Sequence, residues 1–372
     1  MLNAFKTVIK WIAAIVVICL AAYFLASVNG LSVSHDMGKV GNLKITEAEY
    51  KYYLEVEKET MLAENSIADE EAAKEFWNSE IDGKKASDIA KENAKAETLR
   101  VLAACIKAEE AGITLTEEEK SSARAVLHPD TADLKDQVSA MKKAIGADGN
   151  ELVTIMEHQL LANAYASYLS EQEDTVLVVD DAEIAAGVAE KYARVKHVLI
   201  QNTPDTTGAT VTTEDGTEVP ATEPTEEELL AYVEKAKKTA DDVLKKAISG
   251  ENFEKLVAEY GEDPGMESTP DGYIIDESGI TADGSGQMVP EFVKGTFAVK
   301  AGEVNPELIE SSYGWHIIKR YAIDSASETY ATVKSAVESI LLSEKYDAYM
   351  DEIVAGMEVT FNEKVYNSIK VK

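Results

Sequence analysis

The eighteen residues from Trp11 to Val28 carry no charge. As a helix rising ~1.5 Å per residue, such a run nearly spans the hydrocarbon core of a bilayer. Lys6 and Lys10 precede it and the first acidic residue, Asp36, follows it, so the expected orientation places the N-terminus inside and the body outside. The run exceeds the ~7–15 apolar residues of a signal-peptide core, which favours a retained single-pass anchor, although Val28-Asn29-Gly30 would serve as a cleavage site. Cys19 fits a lipid anchor poorly, because Ile18 stands where a lipobox needs a small residue and apolar residues continue beyond it.

From Asn42 the hydrophobic period becomes helical. Ile45 ends a short strand, and Thr46-Glu47-Ala48-Glu49 has the form of a capping box, whose hydroxyl and carboxylate satisfy free N–H groups at a helix start. Tyr50, Tyr53, Leu54 and Met61 mark the face of one helix. Leu99, Leu102, Ala103 and Ile106 mark another, stopped at Gly112, and Leu152, Ile155, Met156 and Leu160 a third. Thr116 to Glu119 forms a second capping box. These stripes read as core packing, so the chain to about Tyr192 is expected to be mostly helical, without repeats or metal-ligand spacing.

The pattern then changes. Val195, His197 and Leu199 alternate as in a strand. Gln201 to Glu226, rich in Thr, Pro and Gly with six acidic residues and no basic ones, reads as an exposed disordered loop inserted within a domain. Thr225 to Glu228 caps a helix through Leu229, Val233, Ala236 and Ala240, and Phe253, Leu256, Val257 and Tyr260 give a short second one. A Gly-rich turn region, a helix around Val289 to Val293 and a strand His316 to Lys319 follow, completing a compact α+β domain. After Asp324, Val333, Val337, Ile340 and Leu341 return to helical spacing, and a β-rich tail is expected from Glu358. That last helix is too apolar on one face to stand alone. It is expected to pack on the N-terminal helices, making the α+β domain an insert between two halves of a helical one.

Composition narrows the functional classes. The net charge of −32 argues against nucleic acid, whose phosphates need Lys and Arg patches. It suits solubility and the weak capture of basic or apolar unfolded chains. Two cysteines, Cys19 and Cys105, allow no disulfide framework, so stability rests on packing. His35, His128 and His158 read as ordinary structural residues.

Two segments carry a resemblance. Ala193-Arg-Val-Lys-His-Val-Leu199 resembles the opening strand of parvulin-type peptidyl-prolyl isomerases, and Ser311-Ser-Tyr-Gly-Trp-His-Ile-Ile-Lys319 resembles their closing strand. Between them, Phe253 to Tyr260 is similar to the helix before the family's active-site turn, and Gly286-Gln-Met-Val-Pro-Glu-Phe292 to its proline-pocket motif. The flanks and the N-terminal run resemble membrane-anchored foldases of the PrsA and SurA-like type. Four segments are implied: an anchor at 1–30, the first part of a helical chaperone domain at 31–192, a parvulin domain at 193–323, and a C-terminal helix and tail at 324–372. The implied fold class is α+β, a small antiparallel sheet with surrounding helices inserted in a mostly helical domain.

The resemblance implies that His197 and His316 are paired histidines at the centre of the sheet and that Asp263 is the acidic group beside them. Met288 and Phe292, one helical turn apart, would hold the proline ring, with Phe297 closing the pocket. Rotating an X-Pro bond meets a barrier of ~18–20 kcal/mol because amide resonance is lost midway. An apolar slot and polar groups favouring the twisted amide suffice, with no cofactor or metal. The expected partners are unfolded, newly secreted polypeptides. The sequence departs from the parvulin pattern at Thr269-Pro-Asp-Gly272 and in the Gly- and Asp-rich insertion Asp276 to Ser285, so the rim of the site is expected to differ. The acidic insertion after the first strand argues against phosphoserine-proline recognition. The competing reading is a holdase whose parvulin domain is inactive.

Overall fold

The computed structural model describes residues 35–371, except 66, 173–174, 205–209, 213–217, 221–223, 324 and 326–327. The apolar run Trp11 to Val28 lies outside the described residues, and among those described no helix is long and apolar enough to cross a membrane.

The described chain divides into two compact units, one ending at Val179 and resuming at Ser339, the other Asp180–Glu338. The first is built on the helices Glu47–Glu64, Ala86–Glu110 and Gly149–Ser170, with Tyr50, Leu54, Leu102, Leu152 and Ile155 buried among them. Strand Asp36–Val40 lies between Leu43–Thr46 and Val359–Phe361, so the two ends of the described chain share one sheet. Arg100 Nε and Nη2 donate to both carboxylate oxygens of Asp351 at 2.8 Å, tying the C-terminal half of helix Glu328–Ala355 to Ala86–Glu110.

Two local expectations for this unit change. Thr46 does cap its helix by accepting from the Glu49 N–H, but the Glu49 carboxylate does not return to the cap. It is buried and accepts instead from His158 Nδ1 at 2.8 Å, so His158 holds a buried carboxylate. A long-range partner thus replaces the local one. The tail from Glu358 is only partly β, because Asn362 accepts from the Val365 N–H and starts the helix Glu363–Ser368.

The central unit opens with α1 (Asp181–Lys191), which runs directly into β1 (Tyr192–Gln201). It begins before residue 193 because Arg320 Nη2 donates to the carbonyls of Ala189 and Tyr192, fastening the end of α1 to the sheet. Within the Thr-rich stretch the described residues pair as a hairpin, β2 (Thr210–Thr212) with β3 (Glu218–Pro220), where the composition had suggested only loop. Then follow α2 (Glu226–Ile248), started by the full Thr225/Glu228 capping box, α3 (Phe253–Tyr260) and α4 (Pro264–Ser268). β4 (Tyr273–Asp276), α5 (Pro290–Phe297), β5 (Ile309–Ser311) and β6 (Gly314–Tyr321) complete it.

The sheet runs β4-β1-β6-β5, antiparallel throughout. Both central strands are buried on both faces. Val198, Ile200, Trp315 and Ile317 face α2 and α3. Ala193, Val195 and Ile318 face α5 through Phe292 and Val293. A β carbon on Gly295 would lie 2.7 Å from Ile309 Cγ1 and 3.1 Å from Ile318 Cδ1, so α5 rests on the sheet at a distance only glycine permits.

Candidate functional site

The α5 face of the sheet carries the histidines. His197 pairs with Ile318 and His316 with Leu199, so the two are diagonal neighbours on one face. Both are buried, with side chains centred in a polar chain enclosed by apolar residues.

That chain runs from Asp263 through both rings to Ser311. Asp263 caps α4 by accepting from the Gly265 N–H through Oδ1 at 2.9 Å, and Pro264 at the first helical position needs no partner for its missing N–H. Its other oxygen, Oδ2, accepts from His197 Nε2 at 2.8 Å and from the Tyr273 hydroxyl at 2.8 Å. His197 Nδ1 lies 3.1 Å from His316 Nδ1, so one of these two nitrogens donates and the other accepts. His316 Nε2 lies 2.7 Å from Ser311 Oγ, which accepts from the Tyr313 N–H at 3.1 Å. Every ring nitrogen is committed.

Burial and these bonds set the electrostatics of the chain. Burial would raise the Asp263 carboxyl, but its bonds from His197, Gly265 and Tyr273 outweigh that and hold it at about 2. Burial, with repulsion from His197, pushes His316 down to about 4 despite the attraction of Asp263. Burial and the Asp263 charge together raise the Tyr273 hydroxyl, keeping it a donor. The site thus holds a carboxylate beside two committed rings.

Phe292 lies across both histidines, its ring centre 4.9 Å from His197 and 5.4 Å from His316 and edge-on to each. It is 2% exposed, and Met288 and Phe297 are partly buried against the same cluster. Arg320 sits over the Phe297 ring at 5.0 Å. Met288 is not on the helix with Phe292, as the spacing had suggested. Pro290 opens α5, and Val289 before it is extended with ψ 146° because proline disfavours a helical residue ahead of it. Met288 is instead held by its N–H to the Gly279 carbonyl at 2.9 Å. The rim insertion is ordered by Asp276, whose Oδ1 accepts from the N–H groups of Ser278 and Ile280.

His197, Asp263, His316 and Phe292 form one contiguous set, and Met288 and Phe297 pack in the apolar cluster that contains Phe292. Tyr273 and Ser311 join them without having been singled out. Ser311 stood inside the closing-strand motif, whereas Tyr273 gave no pattern: its position comes from the pairing of Tyr273 with Val195, one diagonal step from His197. Among the described residues no group of three or more His, Cys, Asp or Glu side chains gathers as a metal site.

Residues 187–322 match the family described as "PPIC-type PPIASE domain". The chain is 25% identical over 355 residues to the protein named "Foldase protein PrsA" of Caldanaerobacter subterraneus subsp. tengcongensis, covering 92% of this chain and 91% of that one. It is 34% identical over 130 residues to the "Parvulin-like PPIase" of Rickettsia typhi, a match over 34% of this chain and 43% of that protein. The crystal structure of PrsA from Bacillus subtilis aligns over 72% of this chain and 84% of its own, with 24% identity and a TM-score of 0.24.

Proposed function

The chain carries at residues 187–322 a PPIC-type peptidyl-prolyl cis/trans isomerase domain, and on that premise we propose that it is a foldase working outside the cytoplasmic membrane. In this reading His197, Asp263 and His316 set the electrostatics of the reaction. Phe292 is the floor, and Met288 and Phe297 the walls, of the slot that takes the proline ring.

The observation that carries the reading is the Asp263–His197–His316–Ser311 chain lying directly against Phe292. With all four imidazole nitrogens committed, neither ring has a lone pair free to attack a carbonyl. Catalysis then works by differential binding. A planar amide places negative charge on its oxygen, and the twisted amide withdraws it, so a fixed carboxylate near that oxygen disfavours the planar form more than the twisted one. Tyr273 and Ser311 are positioning residues that keep Asp263 and His316 in place.

The location rests on the sequence: the uncharged run from Trp11 to Val28 behind Lys6 and Lys10 supports a single-pass anchor with the body outside. Similarity along 92% of the chain to a protein named a foldase supports extending the reading to the helical unit, whose role would be to cradle unfolded polypeptides. The test is isomerisation of short X-Pro peptides, with and without phosphate on the preceding residue. The unphosphorylated peptide should be turned over at least as fast, since Asn202 to Thr225 offers no Lys or Arg. A clear preference for phosphate, or no turnover of either, would overturn the reading.

A further inference from the structure

The C-terminal end of α2, the start of α3 and the segment after α5 border an open cleft of about 760 Å³. That is ample for one or two side chains of a bound polypeptide. Ile248, Phe253, Val299, Val304 and Pro306 give it apolar walls. Ile248 is 54% exposed, an apolar surface left open to water at its edge. Three exposed carboxylates, Glu251, Glu303 and Glu307, stand around it. Lys319 also lines the cleft, but its ammonium sits 5.0 Å from the Tyr321 ring centre and 5.8 Å from that of Phe253. There it acts with Lys196 on Glu254, whose carboxylate bonds Lys196 Nζ at 2.7 Å. The charge facing an incoming ligand at the rim is therefore negative.

The cleft is separate from the histidine site but joined to it through one element. Phe297 ends α5 in the apolar cluster beside the histidines, and Ala298 and Val299, next in the chain, line the cleft. We propose that this cleft is a second subsite for the client polypeptide, taking an apolar side chain flanked by Lys or Arg from the same chain whose X-Pro bond lies against Phe292. The proposal rests on the isomerase reading for the occupant. Apolar walls hold the side chain, and the rim carboxylates select its neighbours by charge.

The test uses the full protein and three labelled peptides sharing one X-Pro bond: an unextended tetrapeptide, one extended on both sides with Leu-Lys repeats, and one extended with Leu-Glu repeats. Binding is read by fluorescence anisotropy and isomerisation in parallel. The Leu-Lys peptide should bind about tenfold more tightly than the other two, with the advantage shrinking as salt rises. Glu251→Lys/Glu307→Lys should abolish that preference and leave tetrapeptide isomerisation unchanged. The same reversal at Glu226 and Glu227, at the opposite end of α2, should leave the preference in place. Equal binding of the three peptides, or a preference that survives at the rim variant or falls equally in both, overturns the proposal. If the binding pattern holds but no peptide is isomerised, the cleft stands and the isomerase reading falls. Isomerisation of the tetrapeptide without any binding preference removes the cleft alone.

Discussion

His197 and His316 meet nitrogen to nitrogen across the two central strands, Nδ1 to Nδ1 at 3.1 Å, with Asp263 at one end of the pair and Ser311 at the other. Only one proton fits between the two nitrogens. The arrangement is stable while His316 is neutral, and its dependence on pH follows.

His316 titrates at about 4 in the fold, below its ordinary 6.5. Between those values the unfolded chain binds more protons, so stability is fully present above pH 6.5 and is lost as pH falls toward 4. The loss from this residue approaches about 3 kcal/mol below pH 4. Asp263, held at about 2 against an ordinary 3.8, adds a loss in the same direction at lower pH. Urea midpoints of the central unit, followed by NMR signals of the β6 amides, should therefore fall faster between pH 6.5 and 4 in the wild type than in His316→Gln. Parallel curves would contradict a neutral His316 in the fold.

Tyr273→Phe removes one of the two donors on Asp263 Oδ2 and keeps the ring. Carboxyl NMR titration should show Asp263 moving up from about 2 toward the ordinary range, and stability should drop by about 1.5–3 kcal/mol, as for a bond to a charged group. An unmoved Asp263 would mean that the hydroxyl is not part of the network.

Gly265→Ala tests the same joint from the other side. A β carbon there would lie 1.8 Å from the Tyr273 hydroxyl oxygen, so the ring or the α4 backbone must move. Turnover of an X-Pro tetrapeptide should fall by about tenfold, as expected when a site is displaced by a fraction of an ångström. With Tyr273→Phe already present the alanine should cost less, because the clashing oxygen is gone. Strict additivity of the two changes would contradict the contact.

Much of this was legible in the chain. Hydrophobic period located the helices of both units, and the motifs around His197 and His316 placed them on paired strands. What escaped were features set by register and by local competition. Tyr273 reaches Asp263 only because β4 pairs with β1 at Val195. Met288 leaves the helix because Pro290 starts it. Glu49 abandons its cap for His158, a residue 109 positions away that no local pattern could indicate. The hairpin at Thr210–Thr212 and Glu218–Pro220 lies in a stretch whose composition signals only solubility.

The central claim is that the Phe292 slot beside the histidine pair catalyses X-Pro rotation. Its most direct test is the proline-limited slow phase of a refolding protein, measured with catalytic amounts of wild type and of Phe292→Ala. Truncating this buried ring costs ~3–5 kcal/mol of stability, so circular dichroism must first show the variant folded. The account predicts that substoichiometric wild type accelerates the slow phase and that the folded variant does so at a small fraction of that rate, while both suppress aggregation. A folded Phe292→Ala that accelerates the phase as wild type does, or a wild type that suppresses aggregation without accelerating it, would contradict the claim.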